Sequence, residues 1–459
     1  MGKNLKTKIV FLGLLGIFIV TTGFRCTLLS QAEKQLLKPV ELSWWGVEDD
    51  ADAYSDVINA YKIMHPNIGV NYRRLRAEEF ETELLNALAE DRGPDIFSIR
   101  NTWVTKYLTK IETLPAKTTM AYEVKQKSLG VKQETIVEVR DTKSITPAKL
   151  AADFIEVVAK DVVRGDKIYG LPLSVDTLAL FYNKDLFNAA GIPLPPKTWP
   201  DLQADVKKLT FQDNSGQLIQ AGAGLGTANN IDYFADILAL LMMQNGARMA
   251  SGSTVTFGSL PPGLPGGGYN PGPQALVFYT DFANSGKEVY TWNDTFPNST
   301  DAFAQGRLAM MFGYHSDIEK LQAKRQGKLN FGLAKAPQIA NRPADINFAR
   351  YWVQTVSNKS KNINEAWDFV QFISQEAQAK QYLAKTGKPT ALRSVVVTQT
   401  EDDKLQVFAD QLLTAQSWYQ GNDSTVVDSA FGEMVKTVLT GGQVANAIKL
   451  ATEKIQQTL

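Results

Sequence analysis

The stretch YGLPLSVDTLALFYNKDLFNAAGIPLPPKTWPDL, residues 169–202, decides the fold of this chain. Its first half is an apolar run from Leu171 to Tyr182 that stops at an Asn-Lys-Asp turn, as is typical of a buried strand. A short helix that ends before Gly191, a proline-rich segment and a second helix that opens at Thr198 follow. The stretch therefore predicts a strand that is followed closely by two helices.

One acidic residue, Asp176, interrupts the apolar run. An ionised carboxylate that is buried without hydrogen bonds costs several kcal/mol of stability. The sequence therefore predicts that Asp176 either pairs with groups inside the protein or faces a cavity in which a polar ligand completes its hydrogen bonds.

The chain before this stretch alternates strands and helices. The apolar pattern predicts strands at 40–45, 70–75 and 94–99, and helices at 53–65 and 78–90. This order favours a parallel sheet flanked by helices, and ligands bind such sheets beyond the carboxyl ends of the strands. The side chains expected at those ends are Trp45, Glu48, Arg100, Asn101 and Trp103.

Length and composition limit the class of protein. A chain of 459 residues is long enough for two lobes, each with its own core. Its 48 basic and 48 acidic side chains give a formal net charge of zero, whereas nucleic-acid binders usually carry a basic excess. The chain has two histidines and none of the common nucleophile, metalloprotease or nucleotide-binding motifs. We therefore expect no nucleic-acid partner, no cofactor, no metal site and no enzymatic activity.

The first residues have the layout of a bacterial export signal. Lysines precede an apolar run from Ile9 to Val20, and the only cysteine, Cys26, follows it. A cysteine at this place is lipidated in lipoproteins, but Arg25 stands where a small residue is expected. Lipidation of Cys26, an uncleaved membrane anchor and release of the protein all stay open. We expect the mature protein on the outer face of the cell membrane, or in the periplasm where a second membrane exists.

Three separated motifs resemble those of the family 1 extracellular solute-binding proteins, the maltose-binding-protein-like receptors of ABC importers. They are YNKDLF with PPKTW inside 169–202, DAFAQGRLAMMFG at 301–313, and the stretch 348–393. In that family the first motif carries the chain from one lobe to the other. The resemblance implies an α/β, two-lobed periplasmic-binding-protein fold of type II, with a mostly parallel sheet in each lobe and a ligand cleft between the lobes.

The resemblance also implies where the chain passes between the lobes. The predicted segments are an export signal or anchor with a spacer at 1–37, lobe 1 at 38–175 and 337–390 with a polar insertion at 116–150, and lobe 2 at 176–336 and 391–459.

The resemblance adds site residues to those at the strand ends. Asp176 matches a carboxylate that contacts sugar, and Tyr233 matches an aromatic residue that stacks on it. Tyr314 and His315 follow a strand end where the family places ligand-contacting aromatics, and Trp352 lies on a later strand. Flat rings beside hydrogen-bonding side chains suit a sugar. The predicted ligand-binding residues are Trp45, Glu48, Arg100, Asn101, Trp103, Asp176, Tyr233, Tyr314, His315 and Trp352.

The implied function is that of a monomeric receptor, attached to the membrane through its N-terminus. It captures a mono- or oligosaccharide by hinge closure, a motion of periplasmic binding proteins, and delivers it to the permease subunits of an ABC transporter. The alternatives are an extracytoplasmic carbohydrate-active enzyme, a binding protein for a polyamine, peptide or metal, and a sensor or adhesin that works without a transporter.

Overall fold

The structure, a computed structural model, describes residues 37–127, 133–263, 269–324 and 328–459. The predicted export signal, with Cys26, lies outside this part of the chain. Within it, no helix combines the length and the apolar character that a membrane span requires.

Both helices and strands occur along the whole of the described residues. The helices are α1 (Ala51–Met64), α2 (Ala77–Ala89), α3 (Val104–Tyr107), α4 (Pro147–Asp153), α5 (Glu156–Val162), α6 (Lys184–Ala189), α7 (Trp199–Leu209), α8 (Phe234–Asn245), α9 (Pro271–Asp281), α10 (Ser299–Ala304), α11 (Ser316–Lys324), α12 (Ile363–Ile373), α13 (Glu376–Thr386), α14 (Arg393–Thr400), α15 (Gln406–Leu412), α16 (Ser424–Leu439) and α17 (Val444–Gln456). The strands are β1 (Val40–Gly46), β2 (Ile68–Arg74), β3 (Ile96–Arg100), β4 (Ile111–Glu112), β5 (Lys117–Lys127), β6 (Gln133–Lys143), β7 (Val163–Arg164), β8 (Lys167–Ile168), β9 (Asp176–Thr177), β10 (Ala179–Asn183), β11 (Phe211–Gln212), β12 (Leu218–Ala223), β13 (Ala250–Ser251), β14 (Thr254–Val255), β15 (Leu308–Gly313), β16 (Phe331–Lys335), β17 (Asn347–Arg350), β18 (Trp352–Ser357) and β19 (Ala415–Gln416).

The first lobe is built on a five-stranded sheet in the order β2-β1-β3-β18-β4. Strand β1 runs parallel to β2 and β3, and β18 runs antiparallel to β3 and β4. The core of this lobe contains buried side chains from Leu42 to Val175 and from Ala349 to Ala415. The strand and helix alternation predicted for the N-terminal residues is confirmed, and no boundary differs from the prediction by more than two residues.

The second lobe has its own five-stranded sheet, in the order β11-β12-β15-β10-β16. Strands β12 and β15 are parallel, whereas β10 is antiparallel to both β15 and β16. A second core extends from Leu178 to Ala336 and takes in α16 and α17 near the C-terminus.

Two sheets and two cores confirm the two-lobed α/β fold. The sheets are more mixed than the mostly parallel sheets that we expected, because β18 and β10 enter their sheets from the opposite lobe and run antiparallel to their neighbours.

The apolar run 171–182 is divided between the lobes and is not the single strand that the sequence predicts. Leu171 forms an isolated bridge with Gln354, β9 joins the three-stranded sheet β19-β17-β9, and β10 joins the sheet of the second lobe. Val175 packs in the first core and Leu178 in the second. The chain therefore crosses between the lobes within this run.

Two further crossings lie at β17 and β19. Phe348 packs in the second core and Ala349 in the first, and Ala415 packs in the first core and Tyr419 in the second. The predicted boundaries at 336/337 and 390/391 differ from this packing. Ile346 packs against the second core, whereas Leu392, Val395 and Ala409 pack in the first, so residues 337–348 belong with the second lobe and most of residues 391–415 with the first.

The helix ends in residues 169–202 form as predicted. Thr198 and Asp201 make a capping box at the start of α7, and Gly191 follows α6 with a φ of +66°, a conformation that glycine adopts at little cost. Trp199 is buried and its Nε1 donates to Gln244 Oε1 at 2.6 Å. Trp292 and Trp367 are buried as well.

The polar insertion predicted at 116–150 contains a long antiparallel hairpin, β5 with β6. Its polar composition gives no single apolar face, so the apolar pattern predicted no strands there. The base of the hairpin rests on α12, where Thr118 Oγ1 donates to Asp368 Oδ1 at 2.7 Å. A cavity of about 880 Å³ lies beside this base, on the first lobe and outside the cleft between the lobes.

Candidate ligand-binding site

Strand pairing at the crossings brings two pairs of polar residues together. Arg350 ends β17 directly opposite Asp176 of β9, and Trp352 begins β18 directly opposite Arg100 of β3. Arg350 and Trp352 are two positions apart, so an extended chain directs them to the same side. The segment that links the lobes therefore assembles one site from residues far apart in sequence.

A small cavity lies at this point, between the lobes. Its volume is about 80 Å³, well below the roughly 300–1,000 Å³ of most small-molecule sites. Six of the ten predicted ligand-binding residues line it: Glu48, Arg100, Asp176, Tyr233, Tyr314 and Trp352. A ligand larger than a few atoms therefore requires the lobes to move apart.

Glu48 and Lys388 form the charged floor of the site in the first lobe. Lys388 Nζ lies 3.1 Å from Glu48 Oε2 and 2.7 Å from Asp49 Oδ1. Burial alone would raise the pKa of Glu48, but Lys388 and Arg100 outweigh burial and hold that pKa at about 2. The Glu48 carboxylate is therefore ionised at neutral pH.

Arg100 stacks on an indole ring. Its guanidinium carbon lies 4.1 Å from the ring centre of Trp352, a favourable cation–π geometry. Its one ion pair among the described residues is with Glu48, at 3.6 Å between Nη1 and Oε1. Burial and the neighbouring Arg350 lower the pKa of Arg100 to about 10, so it stays a cation at neutral pH.

The opposite wall, in the second lobe, is aromatic. The rings of Tyr233 and Tyr314 meet edge to face with centres 4.9 Å apart, and the Arg350 guanidinium lies 5.2 Å from the Tyr233 ring centre. Tyr314 Oη and Arg350 Nη1 both donate to Asp236 Oδ2, at 2.8 and 3.2 Å. This network fixes the direction of both rings at the edge of the cavity.

Tyr233 has an unusual backbone conformation. It precedes α8 with a φ of +58° and a ψ of +23°, a left-handed conformation that is unfavourable for a bulky residue. Its side chain is held by a hydrogen bond from Oη to Asp317 Oδ1 of 3.0 Å. Strain of this kind is concentrated at functional sites, which agrees with the predicted role of Tyr233.

Asp176 lies between the two walls and has no basic partner within ion-pair distance among the described residues. Its carboxylate accepts backbone N–H bonds from Thr177 at 2.8 Å, His315 at 3.1 Å and Ser316 at 3.4 Å. Burial raises the pKa of Asp176 to about 7, and these bonds only partly oppose it. The sequence allowed two environments for Asp176, and both are present. Backbone N–H groups bind the carboxylate inside the protein, and the carboxylate also lines the cavity.

Four predicted ligand-binding residues do not line the cavity. Trp45 lies under the guanidinium of Arg73, with 5.0 Å between the Arg73 Cζ and the ring centre. Asn101 is buried and donates to Asp161 Oδ2 at 2.9 Å. Trp103 Nε1 donates to Ser424 Oγ at 3.0 Å, across the two lobes. The strand-end rule locates these residues near the cleft but cannot give the direction of their side chains.

His315 is the fourth of these residues. Its ring packs edge to face on Phe408, with centres 5.4 Å apart, and only its backbone N–H reaches Asp176. Burial and the charge of Lys388 lower the pKa of His315 to about 4. The imidazole is therefore neutral at pH 7, and any contact with ligand stays a prediction.

Three cations that line the cavity, Lys320, Arg350 and Lys388, were missed by the sequence analysis. Lys388 lies in the turn after α13, and Arg350 on the crossing strand; both belong to the matching stretch 348–393. The useful signal was the charge of Arg350 at the end of a strand beside a lobe crossing. No periodicity marks Lys388, because its partners Glu48 and Asp49 lie about 340 residues earlier.

Two lobes joined by three crossings, with a polar and aromatic cavity between them, define a ligand-binding protein of the hinged, two-lobed class. The chain belongs to the bacterial extracellular solute-binding protein family, whose model matches residues 45–380. Members of this family are extracellular, so the mature protein belongs outside the cytoplasm.

Individual relatives share part of the sequence or all of the fold. A binding protein of Brucella abortus is 46% identical over 56 residues, which cover 12% of this chain and 14% of that protein. The match thus spans about one seventh of that relative.

Solved structures match almost the whole chain. The cyclic alpha-maltosyl-1,6-maltose binding protein of Arthrobacter globiformis has a TM-score of 0.69 and 19% identity, over 91% of this chain and 98% of that one. An ABC transporter solute-binding protein of Thermotoga lettingae, bound to alpha-D-tagatose, has a TM-score of 0.63 and 19% identity, over 91% and 99%. At these identities the likeness shows the fold.

Proposed function

We propose that this protein is a receptor that captures a sugar in the cleft between its lobes and delivers it to an ABC permease, without chemistry of its own. The observation that carries this proposal is the composition of the cavity. The rings of Trp352, Tyr233 and Tyr314 stand beside Asp176, Glu48 and two arginines, and sugars need both apolar faces and hydrogen-bonding groups. The two matched structures described above are named for a cyclic oligosaccharide and for a monosaccharide, which supports a sugar here.

Hinge closure is the mechanism that the crossings support. The lobes are joined by β9, β17 and β19, which form one three-stranded sheet. The contact from Trp103 to Ser424 joins first-lobe and second-lobe residues beside the site. With a cavity of about 80 Å³, this arrangement corresponds to a closed state, and entry of a ligand requires rotation about the three strands. The closed pair of lobes would be the surface that the permease recognises.

The membrane attachment and the oligomeric state complete the proposal. We propose that the protein is a monomer held at the membrane by its N-terminal segment, through a lipid on Cys26 or an uncleaved helix. Its family membership supports the extracytoplasmic location that either form of attachment requires.

A second candidate function, glycoside hydrolysis, rests on one observation. Asp176, with a pKa of about 7, and Glu48, with a pKa of about 2, line the same cavity, and glycosidases pair a protonated with an ionised carboxyl group. Glu48 is bound to Lys388 and Arg100, which makes it a poor nucleophile or base. Product analysis after incubation with oligosaccharides separates the two functions, since a receptor releases its sugar unchanged.

The melting temperature tests the receptor function. We expect one sugar of a panel of mono- and oligosaccharides to raise the Tm by several degrees. A ligand at 100 times its Kd that binds only the folded protein adds about 2.7 kcal/mol of stability, and each kcal/mol corresponds to roughly 2–4 °C in domains of 150–250 residues. The sugar assignment fails when no sugar changes the Tm but a polyamine, a peptide or a metal ion raises it.

A further inference from the structure

The cations around the cavity differ in how completely they are paired. Lys388 has Asp49 at 2.7 Å, Lys320 has Asp317 at 2.8 Å, and Arg350 has Asp236 at 3.2 Å. Arg100 has only the 3.6 Å contact with Glu48, a carboxylate that Lys388 also holds at 3.1 Å. Arg100 is therefore the least satisfied cation of the site.

The hydrogen-bonding capacity of Arg100 is unused. A guanidinium has five N–H donors and no acceptor, and the Arg100 side chain is only 21% exposed. Among the residues that the structure describes, none accepts a hydrogen bond from it within normal geometry. The side chain lines the cavity, so its donors are open to a partner from outside the chain, and a charged partner forms the stronger hydrogen bonds.

A second guanidinium faces the same cavity. Arg100 and Arg350 both line it, and Arg350 is close enough to lower the pKa of Arg100. A neutral hydroxyl group would fill donors of Arg100 but would leave the two cations repelling each other. An anionic group near both would relieve that repulsion and accept a bidentate pair of hydrogen bonds, the geometry in which arginine binds carboxylates and phosphates.

We propose that the sugar bound in the cleft carries an anionic group, a carboxylate or a phosphate, which binds to Arg100 on the side that faces Arg350. This proposal rests on the proposed function, since it names the class of sugar that the receptor takes. Glu48 keeps Lys388 as its cation partner when the donors of Arg100 bond to the ligand, so the charge of Glu48 stays balanced. Stacking on Trp352 holds the guanidinium plane in place.

Titration calorimetry with matched pairs of sugars tests the proposal. The probes are D-glucuronate, D-galacturonate and D-glucose 6-phosphate, each compared with its neutral parent, D-glucose or D-galactose. We expect at least one acidic sugar to bind at least about tenfold more tightly than its parent, since a hydrogen bond to a charged group contributes on this order. The uronates and the sugar phosphate distinguish a carboxylate from a phosphate.

Variants assign the preference to Arg100. Arg100→Gln is expected to reduce the preference for the acidic sugar to less than about threefold, and Arg100→Lys, which keeps the charge but not the planar fork, is expected to keep part of it. Arg73→Gln is the matched control, because Arg73 also stacks on a tryptophan and pairs with a carboxylate but lies outside the cleft. The control is expected to bind as the unchanged protein does.

Three results would overturn the proposal. If the neutral parents bind as tightly as the acidic sugars, the proposal of an anionic group is wrong, whereas the proposed function as a sugar receptor is unaffected. If Arg100→Gln keeps the preference for the acidic sugar, other residues bind the anionic group and Arg100 does not. Failure of every acidic and neutral sugar, with binding of a non-sugar solute, overturns this proposal and the proposed function together.

Discussion

Lys388→Met is expected to lower the free energy of unfolding of the first lobe by about 3–5 kcal/mol, the usual cost of removing one partner of a buried ion pair. The lysine side chain is 14% exposed and bonds to the carboxylates of Glu48 and Asp49. Methionine has a similar length but cannot neutralise them, so two carboxylates would lose their shared cation. Urea denaturation, followed by the fluorescence of the first-lobe tryptophans, measures the change.

The control for this substitution is Lys385→Met, three residues earlier. Lys385 bonds to Asp52 and Asp56, whose side chains are 81% and 62% exposed, and exposed pairs contribute only about 0–1 kcal/mol. If the two variants lose the same free energy of unfolding, Lys388 contributes no more to the stability of the lobe than a surface lysine. That result would contradict the buried ion pairs of Lys388 with Glu48 and Asp49 described for the site.

Asp176→Asn is expected to change how stability depends on pH. The folded protein holds the Asp176 proton with a pKa of about 7, against an ordinary value of 3.8. Between these values the folded state binds more protons than the unfolded state, so stability falls as pH rises from about 4 to about 7. The asparagine has no such proton. The free energy of unfolding of the variant should therefore rise by on the order of 2–4 kcal/mol, relative to that of the unchanged protein, as pH increases over this range.

The measurement is the difference in free energy of unfolding between the two proteins at pH 4, 5, 6, 7 and 8. It should increase up to about pH 7 and then level off. Asp166→Asn is the control, since Asp166 lies exposed in the turn between β7 and β8. A difference that stays constant with pH would mean that Asp176 titrates with an ordinary pKa, and that burial does not control its charge.

Local pattern was enough to predict the elements of the first lobe. Strands β1 and β2 and helices α1 and α2 follow from apolar spacing, because each has one face that is more buried than the other, and β3 follows from a short apolar run that is buried on both faces. The division of the run 171–182 between the two lobes could not be predicted in this way. Leu171, Val175 and Leu178 are all apolar, and their pattern does not tell which core each of them joins.

The candidate site was predictable in its location but less so in its composition. The strand-end rule located Glu48 and Arg100, which line the cavity, together with Trp45 and Asn101, which do not. Successive side chains of a strand point to opposite faces, and sequence alone does not tell which face is directed to the cleft. Lys388 enters the site only through the tertiary fold, so a prediction based on local sequence misses it.

A crystal structure of the protein with its best-binding sugar tests the central claim most directly. We predict density for one sugar between the lobes, with a ring against Trp352 or Tyr233, hydroxyl groups bonded to Asp176, and both lobes in contact with the sugar around a cavity larger than the 80 Å³ of the present structure. Sugar bound instead in the 880 Å³ cavity beside the hairpin of the first lobe, with the cleft empty, would contradict the claim that the lobes close on it.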